Sequence, residues 1–211
     1  IIILIMILSF IVPSFYPYSY KTQIKGANNL APMQYSQDEL ARIDAGESVF
    51  PHILGTDKMG RDYAIRVMMG SRISLLVGLI ATAIIFVIGS LIGSISAFFG
   101  GWVDLIIMRI VDIISTIPLT LYVILIMQVL GAGIQSIIVA LGSVYWVDMA
   151  RVVRGQILSL KQQEFVLAAK TIGSSATTIL FDHLIPNALG SILVTITMLI
   201  PSAIFMEAFL G

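Results

Sequence analysis

The chain has 211 residues, of which 58% are hydrophobic and 11% are charged, and its mean hydropathy is +0.99. A soluble domain carries about a quarter charged residues, so this composition excludes one and predicts a polytopic membrane protein. The formal net charge of zero excludes the basic footprint of a nucleic-acid-binding protein. Because the sequence contains no cysteine, disulfides and thiolate metal sites are also excluded.

The first stretch, residues 1–12, is an apolar run that we predict to be the end of a first transmembrane helix. The core of a signal peptide is the alternative, but no basic region precedes it and no cleavage site of small residues follows it. The numbering starts inside this run, and Leu210-Gly211 comes just as another apolar segment finishes. We therefore expect the chain to be truncated at both ends.

A long polar segment, residues 13–71, carries six basic and six acidic side chains. Within it we predict a short helix near residues 36–45, with Ser36 as N-cap and Glu39 at the third helical position, as in a capping box. We predict that residues 13–71 form a folded loop outside the membrane. Residues 72–211 are then the membrane-spanning core.

Four apolar runs of this core are long enough to cross a bilayer, which gives five spans in all. They cover residues 73–103, 105–130, 134–153 and 184–206. The first contains Gly89-x-x-x-Gly93, which either packs closely against another helix or reflects ordinary glycine usage in membrane helices. Pro118 predicts a kink near the middle of the second, because proline removes a backbone donor.

Charged residues within these spans need an explanation, because a charge in lipid is costly. Arg109 and Asp112 lie one turn apart, and we expect them to neutralise each other near the membrane edge. Asp148, Arg151 and Arg154 occupy the second half of another span, which should therefore emerge into water or face protein.

Between the last two spans lies a polar stretch, Glu164–Gly173 followed by His183–Asn187, that must sit in water. We call residues 164–173 the docking segment and predict a short amphipathic helix ended by a left-handed turn at Gly173. Ala168 and Ala169 lack bulk and would let another backbone approach closely. An interfacial helix without a partner is the alternative. The predicted apolar face consists of Phe165, Val166, Ala168, Ala169 and Ile172.

Ala168-Ala169, then Gly173 and the ending Leu184-Ile185-Pro186, resemble the cytoplasmic loop motif of permeases from binding-protein-dependent ABC importers. In that family the loop carries the coupling helix, which sits in a groove of the ATPase. Leu167 replaces the usual acidic residue and His183 the usual isoleucine. The stretches Glu164-Phe-Val and His183-Leu-Ile-Pro-Asn are nevertheless similar to the oligopeptide, dipeptide and nickel subgroup.

The resemblance extends over nearly the whole chain. His52–Asp62, continued by Gly70–Ser74, resembles the signature that precedes the second span in this subgroup, and Ala150–Arg154 also matches. The chain is thus similar to the second, C-type permease of the pair. This resemblance implies the all-α fold of a type I ABC importer permease, with the cytoplasmic coupling loop at about residues 158–186.

The resemblance implies a non-catalytic subunit of an ATP-driven importer of dipeptides or oligopeptides, without cofactors of its own. Its implied partners are a homologous second permease, two ATP-binding ABC subunits, an extracytoplasmic solute-binding protein and the lipid bilayer. Its implied place is the cytoplasmic membrane of a bacterium or archaeon. The ATPase-coupling residues carried over are Glu164, Phe165, Ala168, Ala169, Gly173 and Pro186. The extracytoplasmic motif comprises Gly55, Thr56, Asp57, Gly60, Arg61 and Asp62.

Five spans alternate across the membrane, so a cytoplasmic docking segment places residues 13–71 outside. Gly55 and Gly60 are spaced as in a phosphate-binding loop, but Arg61-Asp62 replaces the Lys-Ser/Thr of that motif. His52 and His183 would lie on opposite sides and cannot share a metal. Glu207 ends the last span, either at a pathway or outer gate or beside lipid headgroups.

Three alternative functions remain. A permease for nickel or another small solute is the alternative within the class. An intramembrane enzyme would need a nucleophile and a base at one depth, and the sequence offers no such pair. A stand-alone secondary transporter would have no need of a docking segment.

Overall fold

A computed structural model of the chain describes residues 2–210, and within them it contains helices and no strand. The outer limits Ile1 and Gly211 of the predicted segments lie outside the described residues. The helices are α1 (Ile2–Phe15), α2 (Gln37–Asp44), α3 (Tyr63–Phe99), α4 (Gly101–Ser115), α5 (Leu119–Leu130), α6 (Ile134–Leu160), α7 (Glu164–Thr171), α8 (Ala176–Thr178) and α9 (Ile185–Leu210), with a π-helical turn at Ile179–Leu184. The predicted all-α class is confirmed. The chain divides into two compact units, Ile1–Leu76 and Val77–Gly211.

In the first unit, α2 forms where the capping box was predicted. The Ser36 hydroxyl accepts the backbone N–H of Glu39 at 3.3 Å, and the Glu39 carboxylate accepts the backbone N–H of Ser36 at 2.8 Å. Two N–H groups at the helix start, which have no intrahelical partner, are satisfied in this way. The prediction of a short helix capped by Ser36 is confirmed.

In the same unit, α3 begins at Tyr63, ten residues before the predicted start of the apolar run. The Asp62 carboxylate accepts the backbone N–H of Ile65 at 3.1 Å and so caps the helix start. Hydropathy marks only the part of a helix that lipid surrounds, whereas the cap sets where the helix begins.

The second unit contains the long apolar helices, with α3 belonging to it from Val77 onward. Three helical stretches of the described residues are long and apolar enough to cross a membrane, namely Tyr63–Phe99, Ile134–Leu160 and the continuous Ala176–Phe209. Helices α4 and α5 together form a fourth candidate, bent by 84° at residues 116–118. The kink predicted at Pro118 is therefore confirmed as a complete break between two helices. Leu4–Phe15 is a shorter apolar helix.

The glycines of α3 pack against α6. A Cβ added at Gly89 would lie 2.6 Å from the Cβ of Met149, and one added at Gly93 would lie 2.4 Å from the carbonyl oxygen of Ala150. Such distances leave no room for a side chain, so the two helices approach at these glycines. Of the two interpretations of Gly89-x-x-x-Gly93, close packing is confirmed.

Helix α6 organises the second unit, since it packs against α4, α5 and α9. Its residues Met149, Val153 and Ile157 are fully buried, in one cluster with Ile85 of α3 and Ile192 of α9. That cluster continues into the docking segment and the π-helical turn. The buried residues of the docking segment, Val166 and Ala169, are therefore part of the same core as the long helices.

Candidate functional site

The docking segment forms helix α7, directly after α6. Val166 and Ala169 are buried one turn apart, where they join Ile179, Leu180 and Leu184 of the π-helical turn in the core cluster. Residues three apart lie on one helix face, so this pair anchors α7. The amphipathic helix predicted for this segment is confirmed.

The predicted apolar face is only partly buried. Val166 and Ala169 lie in the core, whereas Phe165, Ala168 and Ile172 are exposed, Ile172 to 83%. Val166 and Ala169 are the buried residues of α7. Leu167 is exposed as well, so α7 presents several apolar side chains to solvent. Exposed apolar surface of this kind is typical of a binding face.

Gly173 ends α7 as predicted. Its φ of +80° is left-handed, its N–H donates to the carbonyl oxygen of Lys170 at 3.0 Å, and the N–H of Ser174 donates to that of Ala169 at 3.0 Å. These two bonds are those of a Schellman motif. A Cβ at Gly173 would meet nothing within 4 Å, so its left-handed backbone, and not crowding, is what favours glycine here.

Pro186 lies at the start of α9, immediately after the π-helical turn. The side-chain amide of Asn187 donates to the carbonyl oxygen of His183 at 2.6 Å. Both Pro186 and Asn187 are exposed, and His183 is half-buried. A local π turn is one of the adjustments by which a membrane helix accommodates a proline.

The sequence-predicted site residues of the second unit are thus brought onto one loop. The exposed residues on this loop are Glu164, Phe165, Ala168 and Pro186. Ala169 is buried and packs into the core cluster. The extracytoplasmic motif belongs to the other unit and forms a separate cluster.

The glycines of that motif allow backbone to approach closely. Gly55 and Gly60 have φ of +76° and +69°. A Cβ on Gly55 would lie 2.2 Å from the carbonyl oxygen of Leu30, and one on Gly60 would lie 2.4 Å from that of Ile24. The motif therefore packs directly against the chain at residues 24–30.

Asp57 holds the motif together. Its carboxylate accepts the backbone N–H groups of Met59 at 2.8 Å and Arg61 at 3.0 Å, and it pairs with the side chains of Arg61 and Arg66. Burial alone would raise its pKa, but these bonds and charges outweigh burial and lower the pKa to about 2. The Thr56 hydroxyl accepts the N–H of Leu30 at 2.9 Å and donates to the carbonyl oxygen of Ala27.

A buried hydrogen-bond network, which the sequence did not predict, lies beside this motif. His52 lies between two carboxylates, with Nδ1 at 2.8 Å from Asp62 and Nε2 at 3.1 Å from Glu39. All three side chains are buried. Since an ionised carboxylate only accepts hydrogen bonds, each of these two contacts needs a proton of its own between the ring nitrogen and the carboxylate oxygen. The network joins α2 to the start of α3, and no local pattern links residues 39, 52 and 62.

Two tyrosines cover this network. Tyr18 stacks on the His52 ring with centroids 4.6 Å apart, and burial with the nearby Glu39 and Asp62 charges raises its pKa to about 12. Tyr16 donates to Asp62 at 3.3 Å, and burial, followed by the Asp62 charge, also raises its pKa. Both phenols therefore stay protonated and neutral.

The charges of α4 and α6 pair across the two helices. The predicted pairing of Arg109 with Asp112 is wrong, because Asp112 accepts instead from Arg151 at 3.0 Å. Arg151 also donates to the Ser115 hydroxyl at 2.7 Å, and this second bond favours the pairing between helices over the one along α4. Arg154 pairs with Asp104 at 2.5 Å. Arg151 and Arg154 thus face α4, as one of the two predicted explanations required, whereas Asp148 is 67% exposed and contacts Arg151 of its own helix at 3.4 Å.

Glu207 lies half-buried in the last two turns of α9. Both of its interpretations, at a pathway or gate and beside headgroups, stay predictions. Among the described residues, no group of three or more His, Asp or Glu side chains could hold a metal ion.

Comparison with known proteins identifies the architecture. The family model described as "Binding-protein-dependent transport system inner membrane component" matches residues 89–211. The chain belongs to this family. It is a multi-pass membrane protein of the permease type, and the matched part contains the docking segment and most of the long helices.

The relatives of the chain carry peptide-transport names. The oligopeptide transport system permease protein OppC of Bacillus subtilis is 45% identical over 211 residues, all of this chain. The dipeptide transport system permease protein DppC of the same organism is 46% identical over 160 residues, or 76% of the chain. OppC of Escherichia coli is 40% identical over 187 residues, or 86% of the chain. The chain spans 64%, 50% and 62% of the length of these relatives.

Proposed function

We propose that this chain is a permease subunit of an ATP-driven importer of dipeptides or oligopeptides in the cytoplasmic membrane of a bacterium or archaeon. The observation that carries the proposal is helix α7. It exposes Phe165, Leu167 and Ala168 while Val166 and Ala169 fix it to the core. An exposed apolar helix on a rigid base is suited to receive force from a soluble partner.

The partners follow from the same proposal. Two ATPases would bind the docking segments of this chain and of a homologous second permease, and an extracytoplasmic binding protein would deliver the peptide. The chain itself catalyses no reaction. It supplies part of the translocation path and the helix, α7, on which the ATPase acts. ATP-driven closure would move α7, and because Val166 and Ala169 belong to the core cluster, that motion would reach α6 and α9 and alternate the access of the path.

Peptides are the cargo that the relatives' names favour, since all three are named for oligopeptides or dipeptides. A peptide path needs width and a weakly binding polar lining. Exposed hydroxyls on α9, such as those of Ser191, Thr197 and Ser202, are groups of this kind. The nickel alternative has no observation in its favour.

The direct test of the partner assignment is co-purification from detergent. The chain should bring down an ABC ATPase, and Ala168→Glu should release that ATPase, because it places a charge on the exposed face of α7. Ala176→Glu is the matched control, since Ala176 is also exposed but lies beyond Gly173. Retention of the ATPase by Ala168→Glu, or its absence from the unsubstituted complex, would contradict the proposal.

A further inference from the structure

Two cations near the end of α6 contact the turn between α3 and α4. We name the group formed by Ser96, Asp104, Arg154 and Lys161 the turn clamp. Within it, Arg154 donates Nε and Nη2 to the two carboxylate oxygens of Asp104, both at 2.5 Å. The Ser96 hydroxyl donates to the same carboxylate at 2.5 Å. A two-pronged Arg–carboxylate contact fixes distance and orientation together.

Lys161 forms the other half of the clamp. Its ammonium donates to the carbonyl oxygens of Ala97 at 2.9 Å and Phe98 at 2.8 Å. These are carbonyls of the last turn of α3, which have no donor within their own helix. A lysine placed there satisfies them and also meets the negative end of the helix dipole. The end of α3 is therefore tied to the end of α6.

The position of Lys161 along the chain gives this contact its significance. It is the C-cap of α6, and α7 begins three residues later at Glu164. By contrast, the buried side of α7 packs onto the π-helical turn that leads into α9. The docking segment thus has one connection toward α9 and a second, through the clamp, toward α3 and α4.

The charged side chains of the clamp are partly shielded from water. The Asp104 side chain is 18% exposed and that of Arg154 is 32% exposed. A second Asp–Arg pair joins the same helices two turns of α4 further from the α3–α4 turn, where the Asp112 side chain is 58% exposed. An exposed pair is weakened by solvent and fixes geometry less well. The two pairs therefore provide a natural comparison within one helix interface.

We infer that Arg154 and Lys161 are positioning residues that hold the α3–α4 turn to the end of α6, directly before α7. Motion of the docking segment would then also reach α3 and α4. This inference rests on the proposed importer function. Loss of the clamp should leave the helices folded through their apolar core while loosening the transmission of force. Its signature is a reduced amount of peptide moved for each ATP hydrolysed.

The test uses the complete complex of permeases, ATPases and binding protein in proteoliposomes, with peptide uptake and ATP hydrolysis measured together. Lys161→Met keeps the aliphatic stem and removes the donors, Lys161→Arg restores them, and Asp104→Asn removes one charge at nearly constant volume. We expect uptake per ATP to fall at least about fivefold in Lys161→Met and Asp104→Asn, the lower end of ordinary coupling between two sites. Lys161→Arg should stay within about twofold of the unsubstituted complex.

Asp112→Asn is the matched control, because it breaks an Asp–Arg pair between the same helices away from the docking segment. An equal loss in Asp112→Asn, or unchanged uptake per ATP in assembled Lys161→Met and Asp104→Asn, would overturn the inference. If Lys161→Met does not assemble, Asp104→Asn alone decides between these outcomes. A lack of ATP-dependent uptake by the unsubstituted complex would instead overturn the proposed function, so the two failures are distinguishable.

Discussion

At the scale of single residues, Gly173 gives a prediction that separates backbone conformation from crowding. Gly173→Val should lower peptide uptake and ATPase stimulation, because a branched residue opposes the left-handed backbone by about 1–2 kcal/mol and disrupts the end of α7. Gly155→Val is the matched control, since Gly155 on α6 also has open space around it but an ordinary φ. Normal coupling in Gly173→Val would contradict the role assigned to this turn.

A second residue, Asp57, gives a pH dependence. Its pKa is lowered from 3.8 to about 2 in the folded loop. The stabilisation is therefore fully present above about pH 4 and is lost as the pH falls through 2. We expect hydrogen exchange at residues 24–62, corrected for intrinsic rates, to increase below pH 4. In Asp57→Asn the exchange should already be fast at pH 7 and should depend less on acid, and identical profiles for the two proteins would refute this.

Residues that act through a local pattern could be predicted from the sequence. Ser36 with Glu39 and the turn at Gly173 are of this kind, because caps and turns depend on neighbours within a few positions. The bridge from Glu39 through His52 to Asp62 could not be predicted, since it depends on how the loop folds back. For the same reason the partner of Asp112 was predicted along its own helix, whereas it lies on α6.

At the scale of secondary-structure elements, the approach of α3 to α6 is open to a direct test. Gly93→Ala should destabilise the protein by about 1–3 kcal/mol, because the new methyl group meets backbone that cannot move aside. Gly70→Ala, in the same helix but with open space, should be neutral or stabilising. Thermal unfolding of the purified protein would measure both, and equal melting temperatures would contradict the packing described above.

Hydropathy predicted which elements exist but not where they begin or how they bend. The apolar runs correspond to α3, α6 and α9 and to the pair α4 and α5. The start of α3 depends on Asp62, which lies eleven positions before the charge-free run. Pro118 predicted a kink but not a break of 84° between two helices that each pack against α6.

At the scale of the whole molecule, we predict on which side of the membrane two loops lie. A cysteine at Gln34 should react with a membrane-impermeant thiol reagent in intact cells, while one at Gln162 should resist it. Both positions are exposed, and these 211 residues contain no cysteine to give background labelling. The reverse pattern would invert the proposed topology.

The family and the docking segment could be predicted from the sequence, because motifs of a few residues carry them. The cargo could not be derived in the same way. A permease that leaves recognition to a binding protein needs no specific ligands of its own, so its residues hold little information about the solute.

The most direct test of the central claim is ATP-dependent uptake by the complete complex in proteoliposomes supplied with its binding protein. Labelled dipeptides and oligopeptides should accumulate only with ATP, and Ala168→Glu should abolish this accumulation by releasing the ATPase. Radioactive nickel offered under the same conditions should not accumulate. Nickel uptake without peptide uptake, or peptide uptake that does not require ATP, would contradict the account.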